Sequence, residues 1–149
     1  HKLIVAGEFY YNEDKYLKQI KENGLEDDVI LHDYFIRDED VRYYFSVAEV
    51  LIQPYKSATQ SGVTQIAYNF EVPMIVTDVG GLSEIVTDNV GGYVTEVSPE
   101  SVADAFERFF EDGNDRRLRA NMKKEKERFS WDAMADKLTE VYEMLPGNK

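Results

Sequence analysis

The stretch from Gln53 to Thr87, QPYKSATQSGVTQIAYNFEVPMIVTDVGGLSEIVT, contains two strand-to-helix turns in succession. The apolar run Val50-Leu51-Ile52 ends at Pro54, and small polar residues from Lys56 to Gln60 lead to Ser61-Gly62. Val63, Ile66, Ala67 and Phe70 then recur at spacings of three and four, which predicts a helix beginning at Ser61 or Gly62. A helix start leaves main-chain N–H groups unpaired and carries partial positive charge, so a glycine there lets an anion come close. Ser-Gly before a helix is equally an ordinary cap, and local sequence leaves both readings open. Pro73 closes the helix, Met74 to Thr77 is a short buried strand, and Asp78-Val79-Gly80-Gly81 turns into a second helix start at Leu82. Two such turns side by side outline a crevice.

Working outward, strands alternate with helices. Lys2 to Ala6 reads as a buried parallel strand ending at Gly7, and Asn12 as the cap of a helix with Tyr16, Leu17 and Ile20 facing inward and Gly24 at its end. Val29 to Leu31 is the second strand, and Asp38 caps a helix with Val41, Tyr44, Phe45 and Ala48 on one face. Val50 to Gln53 is the third strand and Tyr93 to Glu96 the last. Ser98-Pro99 opens a helix, Gly113-Asn114 stops it, and Asp115 to Arg128 reads as a mostly solvated helix. Ser130 caps the final helix, with Trp131, Met134, Ala135, Leu138, Val141 and Leu145 predicted inward. The economical fold is α/β: a Rossmann-like, three-layer parallel sheet with C-terminal helices. Ligands of such a sheet bind beyond the carboxyl ends of the strands.

At 149 residues and 43% hydrophobic, the chain reads as one domain spanning 1–149 with a real core. A net charge of −12 argues against nucleic acid or an anionic membrane surface as the main partner, yet a nest of N–H groups can still hold a small diphosphate. With no cysteine there are no disulfides, thiolate metal sites or cysteine nucleophiles, which is compatible with a cytoplasmic protein. No stretch approaches the ~20 apolar residues of a membrane span. The chain opens in mid-fold at His1 and reads as a fragment.

The segment PYKSATQSGVTQIAYNFEVPMIVTDVGGLSEIV resembles the nucleotide-sugar-binding segment of retaining GT-B glycosyltransferases of family 4, also called group 1. Pro54, Gly62, Pro73, Ile75, Val76, Gly80, Gly81 and Glu84 fit its pattern. Leu3 to Gly7 followed by Glu8 resembles the family's first glycine turn, and Phe129 to Leu145 its closing Trp-containing helix. What the resemblance implies is the C-terminal half of a GT-B fold, transferring a hexose from a nucleoside diphosphate sugar, with retention, to a glycan or lipid-linked acceptor held by an N-terminal domain not in this chain. It implies no cofactor and no protein-bound metal. It leaves peripheral membrane association of the full-length protein open, and the isolated fragment is expected to be inactive.

By the same resemblance, Ser61, Gly62 and Val63 offer main-chain N–H groups to a diphosphate, and Lys56 reaches it as a point charge. Phe35 and Ile36 lie where the nucleobase is placed, and Gly7 and Glu8 where the glycine turn approaches the donor. The family's two glutamates fall on Ala58 and Ile66, which puts the usual donor contacts in question. Gln60 and Gln65 are neighbouring amides able to hydrogen-bond hydroxyls, without charge. Asp78 reads as a turn former, Glu84 as a helix-start acid and His32 as structural; no catalytic residue is assigned. Rival readings are a non-catalytic sugar-nucleotide-binding module, a nucleotide-sugar epimerase on the same scaffold, and a receiver-type regulatory domain. The last ranks low, because Gly7-Glu8 and Gln53-Pro54 stand where it needs acids.

Overall fold

The computed structural model describes residues 1–111 and 113–145, and the chain divides into two compact units, His1–Tyr44 and Phe45–Lys149. The first contains β1 (Leu3–Ala6), α1 (Glu13–Glu22), β2 (Val29–His32) and most of α2 (Asp38–Val47). β1 and β2 are parallel, with Leu3 opposite Val29 and Ala6 opposite His32. Gly24 is left-handed, as its place after α1 predicts.

Four expectations fail in this unit. Asn12 precedes α1 but is itself left-handed, at φ 59°, and its side chain makes no cap. Asp38 is the first residue of α2 and not its cap; the carbonyl of Arg37 accepts from the N–H groups of Asp40 and Val41. β1 is not buried, with Leu3, Ile4 and Val5 between 38% and 48% exposed, and Tyr16 and Leu17 of α1 are also exposed. A sheet of two strands supplies too few side chains to cover its own faces. Tyr16 instead stacks on Phe9, ring centres 5.5 Å apart.

The second unit holds the parallel sheet β3 (Leu51–Gln53), β4 (Met74–Thr77) and β5 (Gly92–Thr95), in that order, with β4 central. Around it lie α3 (Gly62–Asn69), α4 (Leu82–Ile85), α5 (Pro99–Phe110), α6 (Asn114–Glu125), a 3-10 turn at Lys126–Phe129 and α7 (Trp131–Met144). The continuous apolar run of β4 has a simple cause. Successive side chains point to opposite faces, and each face has its own core. Met74 and Val76 pack with Ala67, Tyr68, Leu82, Val86 and Met122, while Ile75 packs with Tyr93, Ala105, Phe109 and Leu118. α6 is mostly solvated, as its charge pattern predicts, but its two large apolar residues Leu118 and Met122 are fully buried, one in each core.

The unpaired edge of β5 is closed by its own neighbours. The Val94 N–H donates to Asp88 Oδ1 at 3.0 Å, the Gly92 carbonyl accepts from the Asn89 N–H at 2.7 Å, and the Glu96 N–H donates to Ser101 Oγ at 3.2 Å. Such an edge has little left to offer another strand. The expectation for α7 is overturned: Trp131 is 81% exposed and Leu138 62%, with Met134, Val141 and Leu145 also exposed. The stripe is apolar as read, but its main neighbour is the turn at 126–129.

Candidate functional site

The loop from Pro54 to Gln60 is held from below by β4. Thr77 Oγ1 donates to the carbonyl of Tyr55 at 2.6 Å, anchoring the first residues after β3. From the side, the loop is pressed against the turn after β4. The Gly81 N–H donates to the Thr59 carbonyl at 2.8 Å, and a Cβ at Gly80 would lie 1.8 Å from the Ala58 carbonyl oxygen. Gly80 is also left-handed, at φ 53°. Glycine is therefore required there twice, by close approach and by dihedral. The two turns singled out in the sequence form one packed rim beyond the carboxyl ends of β3 and β4.

α3 begins on this rim. Ser61 is extended, at φ −135° and ψ 121°, and its side chain makes no cap bond to its own helix. The Ser61, Gly62 and Val63 N–H groups donate to no acceptor among the described residues. Gly62 and Val63 are exposed and Ser61 half-buried. The Thr64 N–H bonds to the Ser61 carbonyl at 3.3 Å, and Thr64 Oγ1 donates to the same oxygen at 2.5 Å. Oriented N–H groups at a helix start form a field suited to an oxyanion.

Lys56, Gln60 and Gln65 are exposed on the same segment, and Lys56 makes no ion pair among the described residues. Ala58 is half-buried against the Gly80 turn and Ile66 half-buried in α3. Asp78 is exposed, with its N–H donating to the Thr95 carbonyl at 2.8 Å, and Glu84 is exposed in α4.

Of the expected site residues in the first unit, Gly7 lies at the end of β1 with φ 133°, and a Cβ there would meet nothing within 4 Å. Glu8 is exposed, and Phe35, 67% exposed, is no core residue within this unit, while Ile36 is half-buried. The turns after β1 and β2 are tied together, because the Phe9 N–H donates to Asp33 Oδ1 at 3.0 Å. His32 has a structural partner: its Nδ1 lies 2.7 Å from the Tyr44 hydroxyl, which in turn lies 3.2 Å from that of Tyr34. That second contact, with partial burial, pushes the Tyr44 phenol up to about 12.

One residue of this rim escapes a reading by motif. Gln53, the last residue of β3, is 2% exposed, and its Nε2 donates to Ser61 Oγ at 2.8 Å and to the Tyr55 hydroxyl at 3.3 Å. Its Oε1 is buried without a donor among the described residues. The available signal was an amide at the end of an otherwise apolar run.

A cavity of about 220 Å³ lies elsewhere in the second unit, on the opposite edge strand β5, lined by Tyr93, Thr95, Ser101, Asp88, Asp104 and Arg108. Its carboxylates disfavour a phosphate, and its arginine already lies over the Tyr93 ring, 4.4 Å from the centre. Among the described residues, no group of three or more His, Cys, Asp or Glu is placed to hold a metal, and no helix is long and apolar enough to cross a membrane.

The same arrangement of strands and helices recurs in known proteins. HepE of Anabaena in complex with UDP superposes with a TM-score of 0.79 at 20% identity, over 97% of this chain and 41% of that one. Sucrose-phosphate synthase of Thermosynechococcus elongatus gives 0.76 at 23% identity, over 94% and 37%. In sequence, an uncharacterised glycosyltransferase of Methanocaldococcus jannaschii is 28% identical over 113 residues, which are 74% of this chain and 29% of that protein. The chain thus spans well under half the length of these relatives. Residues 1–112 match the family described as glycosyl transferases group 1. With that match over three quarters of its length and the fold expected of a GT-B half, the chain belongs to the group 1 glycosyltransferases, as a domain of their C-terminal type.

Proposed function

We propose that this domain binds the diphosphate of a nucleotide sugar at the start of α3, and that the protein it serves transfers a hexose from it, with retention, to a glycan or lipid-linked acceptor. The observation that carries this reading is the trio of unpaired N–H groups at Ser61, Gly62 and Val63, on a rim fixed by Thr77, Gly80 and Gly81. Main-chain donors set in place before the ligand arrives stabilise a leaving diphosphate without reorganisation. Lys56, Gln60 and Gln65 flank the same start in sequence and are the side chains proposed to meet the donor there. The relative whose structure contains UDP, and in other crystals UDP-glucose, supports a uridine nucleotide as the first to try.

A second reading, a sugar-nucleotide-binding module without catalysis, is favoured by Ala58 and Ile66. Neither can supply the carboxylates of the family pattern, and Ala58 is wedged against Gly80. Titration of the chain with UDP, GDP, ADP and their glucose conjugates, followed by amide NMR, tests the site. One of these is expected to shift the Gly62 and Val63 resonances most, equally with and without EDTA. Shifts confined elsewhere, or none with any nucleotide, would remove the site. Product analysis with the full-length protein then separates transfer from mere binding.

A further inference from the structure

Gln53 ends β3 with an amide that is 2% exposed, after two apolar residues of the same strand. Its Nε2 donates to two hydroxyls of the rim, that of Ser61 at 2.8 Å and that of Tyr55 at 3.3 Å, and its Oε1 is buried without a donor among the described residues. Turning the amide over would give Oε1 both hydroxyls but bury an NH2 group with no acceptor. Orphaned N–H groups are rarer in proteins than under-satisfied carbonyls, so Nε2 belongs on the side of the hydroxyls.

Ser61 Oγ has one proton to give and two lone pairs to accept with. Gln53 occupies a lone pair. The helix makes no use of the hydroxyl, because the third N–H of α3, that of Thr64, goes to the Ser61 carbonyl at 3.3 Å. The Ser61 hydroxyl proton has no acceptor among the described residues, and accepting from a buried amide polarises the hydroxyl into a stronger donor. We infer that Ser61 meets the diphosphate with its side chain as well as its N–H, and that Gln53 is the positioning residue that presents the Ser61 hydroxyl as a donor.

The residue type at position 53 decides the sign of the ligand. A glutamate fills the same space, but its carboxylate would draw the Ser61 proton to itself and repel a phosphate. An amide that donates to Ser61 leaves the proton for the other side, which suits an anion. The unpartnered Oε1 follows from the same choice: one end of the amide serves the rim, and nothing in the core below answers the other.

This role rests on the proposed diphosphate site, and calorimetry with amide NMR, using the tightest of UDP, GDP and ADP, tests the two separately. Ser61→Ala is expected to weaken that nucleotide about ten-fold, as suits one hydrogen bond to a charged group, while the Gly62 and Val63 resonances still shift. Ser61→Thr keeps the hydroxyl and should stay within about two-fold of the unaltered chain. In Gln53→Glu at about pH 8 the carboxylate takes the serine proton, so adding Ser61→Ala weakens binding no further. The new charge is common to both proteins and drops out of that comparison. Should the glutamate variant not fold, Gln53→Met serves the same cycle, with the Ser61→Ala effect reduced to about three-fold because the hydroxyl is no longer held.

A Ser61→Ala effect of full size in the altered Gln53 background makes Gln53 a packing residue and overturns its role. If Gly62 and Val63 shift with nucleotide and Ser61→Ala changes nothing, the diphosphate site stands and the side-chain donor falls. If none of the three nucleotides binds, both fall.

Discussion

The starts of α3 and α7 are built from the same parts and finished differently. Each has a serine in extended conformation followed by a helix of two turns or more, and each serine is half-buried. At α7 the serine turns onto its own helix and its Oγ accepts from the third N–H, that of Ala133. At α3 a side chain from the sheet takes the serine hydroxyl, and the third N–H, that of Thr64, goes to the Ser61 carbonyl instead, beside a rim where two turns lock together. The cap at α7 closes the third N–H and leaves the first two without an acceptor among the described residues, as they are at α3, so what sets α3 apart is the packed rim beside its start. The difference therefore lies in what borders the helix: a strand end carrying an amide in one case, a charged 3-10 turn in the other.

The largest test of this contrast removes the rim. In Gly80→Ala the new methyl would sit 1.8 Å from the Ala58 carbonyl oxygen, on a residue whose φ of 53° already disfavours a side chain. A loss of about 3 kcal/mol in chemical denaturation is expected, together with loss of nucleotide binding. A well-folded Gly80→Ala protein with unchanged binding would mean that the packed turns do not position α3. Next in size comes the pair of caps. Ser130→Ala should cost about 1 kcal/mol and speed exchange at Ala133. Ser61→Ala should leave exchange at Val63 and Thr64 as it was, because no cap is lost there, and any fall in stability would come from the Gln53 amide losing its best partner.

Which parts of this were legible beforehand follows from how far apart the interacting residues lie. The strands and helices of the second unit read correctly because each is announced locally: β4 by an unbroken apolar run, α5 by Ser98-Pro99, the rim by Gly80-Gly81. The Gln53 to Ser61 bond spans eight residues and two elements, with no periodicity to signal it, so it was not predicted. The errors have a common form. Periodicity in α1 and α7 correctly marked which face is apolar, and then burial was assumed, whereas exposure of Tyr16, Trp131 and Leu138 depends on what lies opposite. Asn12 failed for another reason: its residue type suits a cap and a left-handed turn equally, and the backbone chose the turn.

The smallest effect concerns the other end of α3, which is closed as firmly as its start is open. The Glu71 N–H donates to the Tyr68 carbonyl and that of Val72 to Ala67, satisfying the last carbonyls of the helix around a left-handed residue at φ 58°. That residue is Glu71, where glycine is usual, and its carboxylate takes a hydrogen bond from Lys126 Nζ. The bond, more than any general attraction, holds Glu71 below its ordinary value of 4.5. A carboxylate lowered in the folded state adds stability that is fully present above 4.5 and disappears as pH falls through the folded value. Lys126→Met should therefore cost about 0.5 kcal/mol near neutrality, as suits a partly exposed pair, and the gap from the unaltered chain should close in melts taken at progressively lower pH. Nucleotide affinity should not change, since Lys126 holds only the closed end. A loss of affinity in Lys126→Met would show that the two ends of α3 are not independent and that the free N–H groups owe their geometry to the whole helix.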